Sequence, residues 1–385
     1  MTQLIDLLTG AADRGPVSVF RSGDEEIVLV TGPSAVQHVL ALRADNYVRR
    51  SSRMRFLLGD GVIPSSGEWW KHQRRILQSH FTARSVTRHE TLMHEAAGAI
   101  GDLWTSSAAL GQARDTAADM RRYSLDIIWR FLTGGPGTEA DYAELDRVNA
   151  VFAALPAMPV GDPGADPAVA ATIAAIHTVV DRAIDDADAH PGPWLLSTLL
   201  RTSDLSRSVI RDEVVNLVVA GYESTADTLS WIFPLLHEHP AELDRVRAGG
   251  VREVVSETLR LYPVAWTARR HAVADDVIDG HHVAAGTTVM VCPYLTHRIP
   301  SVWPSPSSFR PARFDGGRPV SPGAYIPFGI GPRACLGAQF TLREMPILLD
   351  HLLSKFTPRL HRMPTPVFGL TIHPDGPVMA DLIPR

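Results

Sequence analysis

The chain has 385 residues, 45% of them hydrophobic and 21% charged, which excludes disorder over most of its length and allows one large domain or two to three smaller ones. Its 37 basic and 42 acidic residues leave a net charge of −5, so nucleic acid is not expected as a partner. The two cysteines, Cys292 and Cys335, can build neither a disulfide framework nor a cysteine-rich zinc site and fit a reducing, cytoplasmic setting.

The opening MTQLIDLLTG lacks a positive n-region and carries Asp6 inside its apolar stretch, so it is a poor signal peptide. Apolar runs broken by glycine and charge from Val17 to Val30 predict hairpin strands. A helix is expected after Pro33, in PSAVQHVLAL. From Trp69 to Leu261 helical periodicity dominates, strongest in Thr91–Leu110, Asp115–Leu132 and Ala168–Ala187. Turn clusters at 134–137, from Met158 to Asp166 and at 190–193 separate these segments. The longest apolar tract, Val214 to Leu236, contains Asn216, Glu223, Asp227 and Pro234. It reads as a buried core helix rather than a membrane span, and no membrane anchor is expected.

After Pro263 the texture changes to short strands such as Thr287–Val291, then to a proline-rich stretch from Pro300 to Pro332. A loop of that length is usually functional. A last helix is expected over Leu336 to Lys355, followed by strand-like pieces. No repeat or low-complexity linker divides the chain. A single domain over 1–385 is therefore expected, with β-containing parts roughly at 17–32, 264–330 and 358–385 and helix-rich parts roughly at 69–261 and 336–355.

The segment Phe328-Gly329-Ile330-Gly331-Pro332-Arg333-Ala334-Cys335-Leu336-Gly337 carries the most chemistry. Its glycines permit tight turns and close backbone approach, and Pro332 stiffens the loop. Cys335 just precedes the final helix, where free N–H groups and the positive dipole end favour a thiolate, and Arg333 adds positive charge. A thiolate on a rigid loop suits the proximal ligand of a haem iron. Cys292, in an apolar strand without turn glycines, reads as a small buried hydrophobe.

These ten residues match the haem-binding signature of the cytochrome P-450 family, Phe-Gly-x-Gly-x-Arg-x-Cys-x-Gly, without departure. The chain is thus similar to soluble bacterial-type haem-thiolate monooxygenases. Further segments resemble the family in the family's order. Glu257-Thr258-Leu259-Arg260 places an acid and a base three apart on a helix from Val251 to Leu261. It resembles the Glu-x-x-Arg helix, and Phe309-Arg310-Pro311-Ala312-Arg313-Phe314 resembles the Phe-x-Pro-x-Arg-Phe segment. The resemblance implies that Glu257, Arg260 and Arg313 form a buried structural charge cluster.

Within the apolar helix, Gly221 costs about 1 kcal/mol relative to alanine, which close approach of a flat cofactor would justify. Glu223 is an ionisable group in apolar surroundings, and the hydroxyls of Ser224 and Thr225 can bond back to the preceding turn. Ala220-Gly221-Tyr222-Glu223-Ser224-Thr225 resembles the family's oxygen-activation motif, which implies a proton relay through Glu223 and Ser224 with Thr225 beside them. Serine stands at 224 where threonine is usual, which keeps the hydroxyl but loses the methyl that restrains its rotamers. Trp70 and Arg74, four apart on a helix, match the family's Trp-x-x-x-Arg. Arg74, Arg270 and Arg333 would then hold the haem propionates.

The resemblance implies a mainly α fold with smaller β-sheets (α+β), enclosing haem b with Cys335 as axial ligand between a long central helix and the cysteine loop. It also implies insertion of one oxygen atom from O2 into a small hydrophobic molecule, with electrons from a ferredoxin and an NAD(P)H-dependent ferredoxin reductase. A monomer is expected. Lys71, Arg75 and Arg343 are expected to form a basic docking patch for the ferredoxin. A peroxide-using or ring-closing haem-thiolate enzyme and a non-catalytic haem sensor are the alternatives.

Overall fold

The computed structural model describes residues 2–49, 54–148, 151, 166–317 and 321–385. The chain forms two compact units, one from residues 1–50, 227–338 and 358–378, the other from 51–226, 339–357 and 379–385.

The first unit is mixed. Its five-stranded sheet runs in the order Val17–Ser22, Glu25–Val30, Thr288–Val291, Ala268–Ala272, Tyr47–Val48. The expected hairpin forms, with Val17 opposite Val30 and Ser22 opposite Glu25, and Gly23 turns it at φ 60°, a conformation glycine adopts without steric cost. All four residues of the central strand Thr288–Val291 are buried. Alternate side chains of a strand face opposite ways, and here they enter two separate cores. Val289 and Val291 pack with Val28, Val30, Val36 and Val39, whereas Met290 and Cys292 pack with Ile27, Leu29, Trp231 and Trp266. Burial pushes the Cys292 thiol up to about 12, as an inert packing residue requires.

The helix after Pro33 spans Pro33–Gln37 and continues as a π-turn, His38–Leu42. The opening residues, weighed from sequence only as a signal peptide, form a helix, Thr2–Ala12, whose Ile5, Leu8 and Ala11 enter the second core at helical spacing. The proline-rich stretch is not structureless. It contains a 3-10 turn, Pro311–Phe314, and folds Trp303, Phe314 and Tyr325 into a small core of their own. Arg318, Pro319 and Val320 lie outside the described residues.

The second unit is helical. Glu90–Ala109, Thr116–Thr133 and Pro167–Ala189 realise the three strongest periodic segments. Asp115 caps the second through Ala117 N–H, and Gly134 ends it at φ 93°, following the usual N-cap and C-cap chemistry. Of the turn cluster expected from Met158 to Asp166, only Asp166 is among the described residues. Its side chain accepts from Ala168 N and Val169 N ahead of the last of these helices.

The 214–236 tract lies inside one helix, Arg207–Glu238. Among the described residues, the helix long and apolar enough to cross a membrane is a different one, Pro167–Ala189. Its buried Val169, Ile173, Ile176, Val180 and Ala187 recur on one face, the pattern of a helix packed on one side against a folded unit.

Candidate active site

In the mixed unit, the chain from Phe328 folds back so that Cys335 N–H donates to the Phe328 carbonyl at 2.7 Å. Gly329 and Gly331 make this possible with φ of 66° and 75°, and Gly329 N–H and Ala334 N–H close two smaller turns onto Ile326 and Gly331. A Cβ on Gly331 would overlap the Leu40 carbonyl oxygen, so this loop rests directly on the π-turn of residues 38–42. Gly331→Ala is expected to combine left-handed strain with that overlap and to destabilise the loop by about 2–4 kcal/mol. Urea unfolding, with limited proteolysis at residues 328–335, measures the loss.

Cys335 is exposed and sits three residues before the helix Ala338–Leu353. Gly337 has no positive φ, and a Cβ there would meet only the Cys335 sulfur, at 4.0 Å. Protein packing does not account for that glycine; space kept beside the sulfur does.

Behind the loop lies the charge cluster. Glu257 and Arg260 are fully buried. Arg260 Nε donates to Glu257 Oε2 at 2.8 Å and Nη2 to Oε1 at 2.9 Å, a bidentate pair. Arg313 Nε and Arg310 N–H complete Oε1 at 3.1 and 2.8 Å. The remaining Arg260 donors reach the carbonyls of His297, Pro306 and Ser308. One helix thereby collects the turns that lead toward the cysteine loop. Arg270 is buried on the strand Ala268–Ala272, and burial together with the charges of Arg49 and Arg333 pushes its guanidinium down to about 9. A buried cation whose charged neighbours are also cations calls for an anionic ligand. An exposed thiol and this arginine group are the donors that the iron and the propionates of haem b require, so these residues fit that cofactor.

In the helical unit, Glu223 and Ser224 are half-buried on the helix Arg207–Glu238. Ser224 Oγ donates to the Ala220 carbonyl at 2.7 Å, the back-bond expected for a hydroxyl at this notch. Thr225 differs from expectation. Its hydroxyl is buried and donates to Glu344 Oε1 at 3.2 Å, so it belongs to the packed side of the helix. At Gly221 the room a side chain would fill borders Ile128, whose Cδ1 would stand 3.1 Å from a Cβ. A neighbouring helix accounts for this glycine without any cofactor. Arg74 Nε turns to Gln78 of its own helix at 3.2 Å. That helix, Gly67–Gln78, is anchored by Gln73 Nε2 and Trp69 Nε1 on the Asp60 carbonyl. Asp60 and Val62 in turn donate their N–H groups to Asp212 and Glu213. The expected basic patch is largely neutralised, since Lys71 pairs with Glu68 and Arg343 with Glu90, each at 2.6 Å.

Sequence reasoning missed Glu344, an acid at an ordinary helical position. It is almost fully buried, and its Oε2 has no hydrogen-bond partner among the described residues. Burial pushes its carboxyl up to about 8, against the lowering effect of hydrogen bonds from Thr225 and Thr341. The folded unit holds this proton more tightly than the unfolded chain, whose carboxyl titrates near 4.5. Its stabilisation is therefore complete below about 4.5, declines as pH rises and is gone above about 8. Glu344→Gln, which keeps an acceptor for Thr225, is expected to flatten the loss of stability between these limits, measured as urea midpoints against pH.

A family model described as Cytochrome P450 matches residues 8–155 and 251–375. Similar proteins include cytochrome P450 714C2 of Oryza sativa subsp. japonica, 27% identical over 94% of this chain and 78% of that protein. Cyclooctatin synthase of Streptomyces melanosporofaciens is 26% identical over 96% and 87%. The crystal structure of CYP175A1 from Thermus thermophillus matches with a TM-score of 0.84 and 28% identity, covering 99% of this chain and 95% of that one. The cytochrome P450 heme domain P450DA matches with a TM-score of 0.89 and 25% identity, covering 100% and 93%. With its α+β fold, its cysteine loop and a family model over most of its length, the chain belongs to the cytochrome P450 family and is a haem-thiolate monooxygenase, an oxidoreductase.

Proposed function

We propose that this enzyme binds haem b through Cys335 and inserts one oxygen atom from O2 into a small hydrophobic molecule, a secondary-metabolite intermediate, in the cytoplasm. Electrons come from a ferredoxin and an NAD(P)H-dependent ferredoxin reductase. The carrying observation is the Phe328–Cys335 loop, which holds an exposed thiol on a backbone closed by its own hydrogen bond. The cofactor supplies the dioxygen and electron chemistry when bound.

The chain's own residues supply position, charge and protons. Cys335 Sγ carries the negative charge, with the neighbouring Arg333 favouring the thiolate. Arg270, Arg333 and Arg74 neutralise carboxylates, a task suited to the planar guanidinium fork. Glu223 holds an exchangeable proton at its carboxyl, and Ser224 Oγ passes it on by releasing its bond to the Ala220 carbonyl. With Lys71 and Arg343 already paired, ferredoxin docking falls more on Arg75 than on a continuous patch.

The test is turnover of a hydrophobic ligand that binds the protein. Coupled NADPH consumption and hydroxylated product are expected with a surrogate ferredoxin and reductase, with Glu223→Gln slowing product formation by about 10–100-fold. Product formed from peroxide alone, unaffected by that substitution, would contradict the reading.

A further inference from the structure

His297 lies in the turn after the short helix Pro293–Thr296, far in sequence from both the cysteine loop and the charged helix, and its side chain is fully buried. Both ring nitrogens are engaged by backbone. Nδ1 stands 3.2 Å from the Arg260 carbonyl oxygen, which can only accept, so Nδ1 carries the proton. Nε2 stands 2.8 Å from Ile326 N–H, which can only donate, so Nε2 must be bare. A single neutral tautomer satisfies both contacts. The link is doubled, because Arg260 Nη1 donates to the His297 carbonyl at 2.9 Å. Burial pushes the imidazole down to about 3, with the charge of Arg298 adding to the effect and the hydrogen bond to the Arg260 carbonyl opposing it. Tyr325 and Trp303 flank the ring, with centroids at 5.3 and 6.4 Å.

Ile326 begins the path to the thiol. Its carbonyl accepts Gly329 N–H at 3.0 Å, and two residues on the Phe328 carbonyl accepts Cys335 N–H at 2.7 Å. We infer that His297 is a positioning residue for the thiolate loop, a strut joining the backbone of the Glu257–Arg260–Arg313 cluster to the stem from which Cys335 is presented. A buried histidine that merely fills space needs no such pair of partners, one on the charged helix and the other on the loop stem. The strut sets where the sulfur stands without touching it. Its consequence for ligation rests on the reading that Cys335 carries the iron.

The test uses the haem-loaded protein. Nitrogen-15 NMR of labelled histidine is expected to show His297 as the neutral Nδ1–H tautomer from about pH 5 to about pH 9. The Nε2–H tautomer, or titration within that range, overturns the proposal. His297→Asn keeps a donor toward Arg260 but lacks the reach to Ile326, and His297→Leu removes both contacts. In the Asn variant, amides of Ile326, Gly329 and Cys335 are expected to exchange at least about tenfold faster, while those of the helix Val251–Leu261 keep their protection. The share of carbon-monoxide complex with a neutral thiol ligand should rise with it. Unchanged exchange at Ile326 and Cys335 overturns the strut. If the Leu variant does not fold, the Asn variant and the wild-type tautomer still decide. A failure of the ligand reading shows separately, as an unaltered carbon-monoxide spectrum in Cys335→Ala, whereas exchange at Ile326 reports on the strut whatever Cys335 holds.

Discussion

Cys335→Ala is expected to abolish the thiolate-type spectrum of the reduced, carbon-monoxide-bound protein and all monooxygenase turnover, while leaving the fold nearly intact. The reason is the division of labour in the loop. Cys335 acts structurally through its backbone, whose N–H donates to Phe328, and alanine keeps that bond. Its side chain is exposed, so truncation removes little packing and should cost within about 0.5 kcal/mol of stability. Cys292→Ala is the informative contrast. That side chain is fully buried in the core with Trp231 and Trp266, so its loss should cost about 1–2 kcal/mol and leave the spectrum unchanged. Paired thermal melts and spectra separate the two cysteines. An unchanged thiolate-type spectrum in Cys335→Ala would overturn the ligand assignment.

Removing Glu257 should have the largest effect on stability. Glu257→Ala strands Arg260, fully buried with its partner, and takes from Arg313 the carboxylate that its Nε meets at 3.1 Å. Breaking one partner of a buried pair costs about 3–5 kcal/mol, because the uncompensated charge stays in a poorly solvated place. For a unit of this size that corresponds to a fall in melting temperature on the order of 10 °C. Glu257→Gln keeps one acceptor and should fall between alanine and wild type. Arg260→Lys keeps the charge but cannot serve Glu257 and the carbonyls of His297, Pro306 and Ser308 at once, so it should also lose several kcal/mol. A double-mutant cycle between positions 257 and 260 is expected to show coupling of about 2 kcal/mol or more. A Glu257→Gln protein melting within about 1 °C of wild type would mean that the cluster does not hold this part of the fold.

The features legible in the sequence were those whose physics is local. A positive φ at Gly329 and Gly331 is a demand of the turn itself, so glycines bracketing a cysteine show on the page. Glu257 and Arg260 share a face because a helix places residues three apart together, and the apolar run Val214–Leu236 announced its helix by length alone. Other residues look ordinary in sequence and take their role from distant partners. Glu344 is one more acid on a helix until Thr225 meets it. His297 is one more loop histidine until Arg260 and Ile326 claim its two nitrogens. The small residue at Gly221 pointed to a cofactor, yet the space beside it belongs to Ile128, a neighbour 93 positions earlier in the chain.

By itself, then, the sequence determined the thiol and its loop, the hairpin, the long helices other than Arg207–Glu238 to within one or two residues, and the family to which the motifs belong. These follow from backbone sterics, helical and strand periodicity and contiguous spacing, which act over a few residues. Only the tertiary structure decided which charges pair, which carboxyl is left protonated and which histidine braces the cysteine loop. Those outcomes depend on desolvation and on the directions of hydrogen bonds between segments far apart in the chain, and neither exists until the segments are packed.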